Sequence, residues 1–225
     1  MNKLDRKIII DACCEAIHLW EFGNPDVAKK EYARTDKELM RYFGGAWIDL
    51  QKRGKTVEYD IQVIKALIHT CEIQKVLIKN PKLEECEKYI SNKRVGRLLA
   101  VSEDKSLAAK WDYGAKFIFD LGKILSTVGG SHPALASRFL FFAVPQASIF
   151  NYSNPLVTKL QRKYGLKDSS VRAVGKVMAG LYEDNLAELS ELPRPKFPSK
   201  LSKSIRDGGW WERRVLDLAI LNYVR

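Results

Sequence analysis

The sequence predicts an all-α fold of about eight to ten helices, and three observations carry that reading. Apolar residues recur three and four apart over nearly the whole chain, alternating strand patterns are scarce, and capping or proline–glycine signals cut it into helix-length pieces. With 225 residues, 46% hydrophobic and 29% charged, the chain is large enough to bury a real core without staples. It reads as one helical domain, divisible into a helical half over residues 1–103 and a basic half over residues 104–225, with no internal repeat and no low-complexity tail.

The elements follow in order. An amphipathic segment runs from about Lys3 to Phe22 and stops at Gly23-Asn24-Pro25. Thr35-Asp36-Lys37-Glu38 is a capping-box start, after which Met40, Phe43, Trp47 and Leu50 mark one face until Gly54. Tyr59 to Ile78 repeats the pattern through Ile61, Ile64, Leu67 and Ile68, and Asn80-Pro81 ends one helix and begins another. A long helix is expected from about Asp104 to Thr127, a short apolar one from Pro133 to about Ala143, a break at Pro145 and a new start near Ser153-Asn154-Pro155. Asp168 to Leu189 presents Val171, Val174, Val177, Met178, Leu181 and Tyr182 on one face. Leu192 to Pro198 holds three prolines and is expected to be extended, since each fixes its own backbone and restricts its predecessor. A terminal helix from Trp210 to Val224 brings Trp211, Val215, Leu218, Ala219 and Leu221 to an apolar side.

Composition excludes several classes. The longest apolar runs fall far short of the ~20 residues that span a bilayer. Ile8-Ile9-Ile10 is interrupted at once by Asp11, so no signal-peptide core is read, and the expected location is the cytoplasm. Cys13, Cys14, Cys71 and Cys86 form no Cys-x-x-Cys pair, and His18, His69 and His132 are scattered. No metal and no cofactor are expected, and the thiols read as reduced core residues.

Charge points the other way, toward an anionic partner. The formal net charge is +11, from 38 Lys and Arg against 27 Asp and Glu. Leu156 to Lys176 carries Lys159, Arg162, Lys163, Lys167, Arg172 and Lys176 against a single acid, Asp168. Arg194 to Arg206 adds Arg194, Lys196, Lys200, Lys203 and Arg206 with no acid at all. Clusters of this kind suit the phosphates of a nucleic acid, to which they give salt-sensitive grip without sequence information.

Inside this basic half lies a stretch without lysine or carboxylate. No carboxylate occurs between Asp120 and Asp168 and no lysine between Lys123 and Lys159, yet Val128-Gly129-Gly130-Ser131-His132-Pro133 sits there between two apolar helical segments. Two glycines let a backbone turn tightly and approach another surface, and Ser131 to Pro133 opens a new helix whose first N–H groups attract phosphate.

The segment Leu125-Ser126-Thr127-Val128-Gly129-Gly130-Ser131-His132, through Ala136-Ser137-Arg138-Phe139-Leu140-Phe141-Phe142, to Ile149-Phe150-Asn151-Tyr152-Ser153 resembles the core of the helix-hairpin-helix DNA glycosylase superfamily. The likeness is to its oxoguanine-glycosylase-fold branch. Gly208-Gly209-Trp210-Trp211-Glu212-Arg213-Arg214-Val215-Leu216-Asp217 is similar to the C-terminal helix of bacterial proteins with that fold. The resemblance covers about 30 residues well and implies a multi-helix helix-hairpin-helix fold and a double-stranded DNA partner, bound by a monomer. It also implies that the hairpin grips one strand and that an aspartate about twenty residues later serves the chemistry. Here Asn151 stands in that aspartate slot, and the lysine of the bifunctional members falls on Ser131, His132 or Arg138, depending on the alignment. None of these supplies an amine nucleophile, and Asn151 cannot ionise, so a strand-cleaving lyase is disfavoured.

What the resemblance leaves is a monofunctional DNA glycosylase that rotates a modified or damaged base out of the stack and hydrolyses its N-glycosidic bond, leaving an abasic site. Prokaryotic antiviral glycosylases that remove modified phage bases are a family precedent. The expected catalytic residues are Asn151, His132 as proton donor or phosphate contact, and Asp112 (or Asp120) for the missing acid. Gly129, Gly130, Ser131, Arg138, Lys159, Arg162 and Lys163 are expected to hold DNA, and Trp111, Tyr113, Phe150 and Tyr152 to wall the base pocket. Arg138 has a second reading as a buried partner of Asp120 or Asp217. Two other functions fit the same residues: a helix-hairpin-helix module that binds DNA without reacting, and a helical scaffold whose basic face meets an acidic protein.

Overall fold

The computed structural model describes residues 3–26, 34–45, 66–67, 85, 89, 107–126, 132–207 and 209–223. Every element among them is helical and none is a strand. The elements are α1 (Arg6–Glu21), α2 (Asp36–Leu39, continued by a wider π turn over Met40–Gly44), α3 (Leu107–Leu125), α4 (Pro133–Ala143), α5 (Asn154–Tyr164), α6 (Val171–Ser190), α7 (Ser202–Asp207) and α8 (Trp210–Leu218, continued by a π turn over Ala219–Tyr223). Among the described residues no helix is long and apolar enough to cross a membrane.

Local chemistry explains most boundaries. Asp5 caps α1 by accepting from the Lys7 N–H at 2.8 Å, and Gly23 ends the turn in the left-handed region at φ 78°. The capping box at α2 is reciprocal: Thr35 Oγ1 accepts from the Glu38 N–H, and Glu38 Oε2 accepts from the Thr35 N–H at 2.8 Å. Pro133 opens α4 and Ala143 closes it, as the spacing predicts. Ser153 caps α5 by accepting from the Leu156 N–H. Helix α6 begins three residues later than the pattern suggests, because Asp168 accepts from both the N–H and the hydroxyl of Ser170, leaving Ser170 as the cap. Leu192 to Pro198 is non-helical, as its prolines require. The short α7 is an addition that the sequence pattern did not reveal. The expected elements over Trp47 to Ile78 and around Asn80-Pro81 lie outside the described residues, apart from Ala66 and Leu67, which are helical and buried.

The largest departure concerns α8. Read as a helix with one apolar side, it is buried on all sides: every residue from Trp210 to Ile220 is buried, including Glu212, Arg213, Arg214 and Asp217. It packs against α1 and α6, while α3 packs against α4 and α6. Around its start Trp210 meets Trp20 at 5.8 Å, Phe141 at 5.0 Å and Phe142 at 5.8 Å between ring centroids. Such a ring cluster supplies a large share of the apolar burial that holds helices together. Its polar handle is satisfied too, since Trp210 Nε1 donates to the Phe141 carbonyl at 2.8 Å.

A second close approach joins α3 to α6. A Cβ added at Gly175 would lie 1.2 Å from Cε2 of Trp111, so only glycine lets the two helices approach with the indole between them. The indole is locked there by donating from Nε1 to the Val171 carbonyl at 3.2 Å. A Gly175→Ala substitution is expected to cost roughly 2–3 kcal/mol and to lower Tm by ~5–10 °C, as read by thermal denaturation; an unchanged Tm would mean that the α3–α6 seam is not packed this way.

Candidate functional site

The turn between α4 and α5 carries the residue in the aspartate slot, and its surroundings are built from α8. Trp210, Arg213, Arg214 and Asp217 are spaced three and four apart, so they form one stripe on that helix. Each reaches a different part of the neighbouring chain. Arg213 clamps the loop after α4, donating to the Ile149 carbonyl from Nη1 and to the Pro145 carbonyl from Nη2 at 3.0 Å. Its guanidinium is fully enclosed, and that burial lowers its pKa to about 10. Arg214 Nε donates to Asp36 Oδ2 at 2.7 Å, tying α8 to the first turn of α2.

Asp217 is the centre of the arrangement. It is 1% exposed, and its Oδ2 accepts from Asn151 Nδ2 at 2.9 Å, from Arg138 Nη1 at 3.1 Å and from Arg214 Nη1 at 3.5 Å. Asn151 is likewise 1% exposed. The remaining oxygens of this amide–carboxylate pair, Asn151 Oδ1 and Asp217 Oδ1, are buried acceptors without a hydrogen-bond partner among the described residues. Such atoms are uncommon in folded proteins, because a buried acceptor left unmatched costs stability. One further tie fixes the turn: Ser137 Oγ donates to the Ala134 carbonyl and accepts from the Tyr152 N–H at 2.9 Å.

This geometry changes several expectations. Arg138 is not a phosphate ligand: its side chain is 11% exposed and paired with Asp217, which settles its alternatives in favour of the buried partner. Trp111 and Phe150 do not wall a pocket: both are 1% exposed and lie 5.1 Å apart in the core. Asp112 is not gathered to Asn151; it pairs with Arg172 on the surface, with more than half of each side chain exposed. Tyr113 is half-buried against the core. Gly129, Gly130 and Ser131 lie outside the described residues.

Three expected residues or groups keep positions open to a ligand. His132 is half-buried at the start of α4, its N–H donating to the Gly122 carbonyl at 2.9 Å, and its ring makes no capping hydrogen bond. Tyr152 lines an open cleft of about 430 Å³ together with Pro133, Phe119 and Val171, and its hydroxyl donates to the Ser169 carbonyl. Burial raises the Tyr152 phenol pKa, with a smaller push from Asp168. Arg162 and Lys163 are exposed in the last turn of α5, where a helix C-terminus favours cations, and Lys159 shares their side of the helix. Among the described residues no group of three or more His, Cys, Asp and Glu side chains is placed to hold a metal ion.

Asp217 is the residue that sequence reasoning undervalued, naming it only as one alternative partner for Arg138. Its signal was present in the regular spacing of Trp210, Arg213, Arg214 and Asp217, but a charged stripe is ordinarily read as a solvated face. Compared with known proteins, the chain matches no family model, no curated protein and no solved structure.

Asp217→Asn keeps the side-chain shape and removes the counter-charge of Arg138. Leaving a buried guanidinium unmatched is expected to cost ~3–5 kcal/mol in urea denaturation. A loss below ~1 kcal/mol would place Arg138 in water rather than against Asp217.

Proposed function

We propose that this chain is a monomeric, cytoplasmic DNA-binding protein, a monofunctional DNA glycosylase that excises a modified or damaged base from double-stranded DNA. Antiviral defence against DNA carrying modified bases is the setting that its resemblance favours. The observation that carries the reading is the pair of Asn151, in the turn that follows α4, and Asp217 of α8, each with an acceptor oxygen that has no partner among the described residues. The negative charge absent from Asn151 itself stands one hydrogen bond away on Asp217. On this reading the Asp217 carboxylate steadies positive charge developing at the sugar, and its Oδ1 takes the proton of the attacking water once DNA binding uncovers the buried pair. In the reaction the water oxygen bonds to C1′, the C1′–N bond breaks with its electron pair leaving on the base, and the base takes up a proton. His132, at the start of α4, is the proposed donor of that proton. Arg162, Lys163 and Lys159 of α5 are the proposed phosphate contacts.

One observation favours a second reading. Asn151 and Asp217 are each 1% exposed, and Asp217 is paired with Arg138 and Arg214, as residues that hold a fold together are. On that reading the chain grips DNA and does not react.

A single assay separates the two. Plain, damaged and phage-modified duplexes are incubated with the protein and then treated with alkali or an abasic-site endonuclease. Strand breaks confined to modified or damaged duplexes are expected, and Asn151→Ala is expected to abolish them while leaving the gel shift. Intact DNA throughout, with the gel shift retained, would leave the binding module. In the same duplexes, reversing Lys159, Arg162 and Lys163 to Glu is expected to weaken binding alike for all sequences and to lower the salt slope by ~1 for each phosphate no longer neutralised; an unchanged slope would remove α5 from the interface.

A further inference from the structure

Helix α3 carries an exposed aromatic ring where a helix surface ordinarily carries a polar side chain. Phe119 is 46% exposed, on the same outer stripe as Lys116 and Lys123, at a spacing of three and then four residues. Lys123 Nζ lies 4.5 Å from the centroid of the Phe119 ring. The ring also lines the cleft shared with Pro133 and Tyr152, in which Lys116 and Arg172 are the charged side chains among the described residues. Asp112 engages Arg172, and no carboxylate lines the cleft itself. Lys116 and Lys123 make no ion pair among the described residues, and they lie roughly 10 Å apart along the helix axis with the ring between them. In the sequence this stripe is followed by the Val128-Gly129-Gly130-Ser131 segment.

An exposed ring with two lysines on its stripe, over a cleft whose charged lining is basic, has a specific complement: a flat aromatic group joined on both sides to anions. We propose that the outer face of α3 is a stacking platform for an unpaired DNA strand, with one base on Phe119 and the flanking phosphates on Lys116 and Lys123. Base–aromatic stacking is stronger than an exposed cation–π interaction, so an arriving base displaces the Lys123 ammonium from the ring and leaves it to meet the phosphate. An acidic protein would use the lysines but gain little from the ring, and a duplex presents no open base face to it. The inference rests on the DNA-binding reading above but on none of the residues assigned there to duplex contact or to chemistry.

The test is fluorescence anisotropy of a labelled oligothymidylate titrated with the full-length protein, beside a labelled duplex of the same length. Binding to oligothymidylate is expected, with Phe119→Ala weakening it about ten-fold or more and leaving duplex affinity within about two-fold. Phe119→Trp is expected to retain binding and to give an indole emission that the oligonucleotide quenches, which also shows that the substituted helix is folded. Lys116→Glu with Lys123→Glu is expected to flatten the salt dependence for the single strand. Equal affinity of wild type and Phe119→Ala for oligothymidylate overturns the platform, as does duplex binding with no single-strand binding, and in both cases the duplex reading survives. Failure of both DNAs to bind overturns the platform and the DNA-binding reading together.

Discussion

The carboxylate of Asp217 is the point through which the described parts of the molecule are held to one another. It lies on a helix that is buried on every side, and through Arg138, Asn151 and Arg214 it reaches α4, the turn before α5 and, by way of Asp36, the start of α2. Removing a charge from water costs several kcal/mol, so a buried ion cluster of this kind adds little net stability over well-packed apolar residues. What it adds is registry. Each of these partners has one place at which its charge or amide is matched, and a shift of any helix by one residue would leave a buried ion unmatched.

Arg213 extends the same logic to the loop. Backbone carbonyls of Pro145 and Ile149 point inward, where water cannot serve them, and the planar guanidinium satisfies both at once. The turn that presents Asn151, Tyr152 and the start of α5 is therefore set by α8 rather than by its own sequence. Remote stripes of this kind explain how a short terminal helix governs a surface formed by other elements. They also place the proposed chemistry and the stability of the fold on one carboxylate, so the two are expected to change together.

Much of the fold was legible because its signals are local. The capping box at Thr35, the Pro133 start, the Ser153 cap and the proline connector each act within a few residues, and the helical period follows from apolar spacing alone. Periodicity assigns a face but not a depth, which is why Trp111 and Phe150 are expected as pocket walls yet lie in the core, and why nothing local to Arg138, Arg213 and Arg214 announces their burial. Their burial depends on partners far away in the chain, 178 residues for Arg214 and Asp36 and 79 for Arg138 and Asp217. Of the Asn151–Asp217 pair, only Asn151 was singled out by its place in the sequence. The carboxylate that serves Asn151 comes from an element 66 residues away, and no local spacing announces that pairing.

The most direct test of the account is a double-mutant cycle between Asn151→Ala and Asp217→Ala, read as unfolding free energy in urea. If the amide is held by the carboxylate, the two losses are coupled by ~1 kcal/mol or more, because either substitution removes the same hydrogen bond. Additive losses, within ~0.3–0.5 kcal/mol, would mean that Asn151 and Asp217 act independently and that α8 does not set the turn.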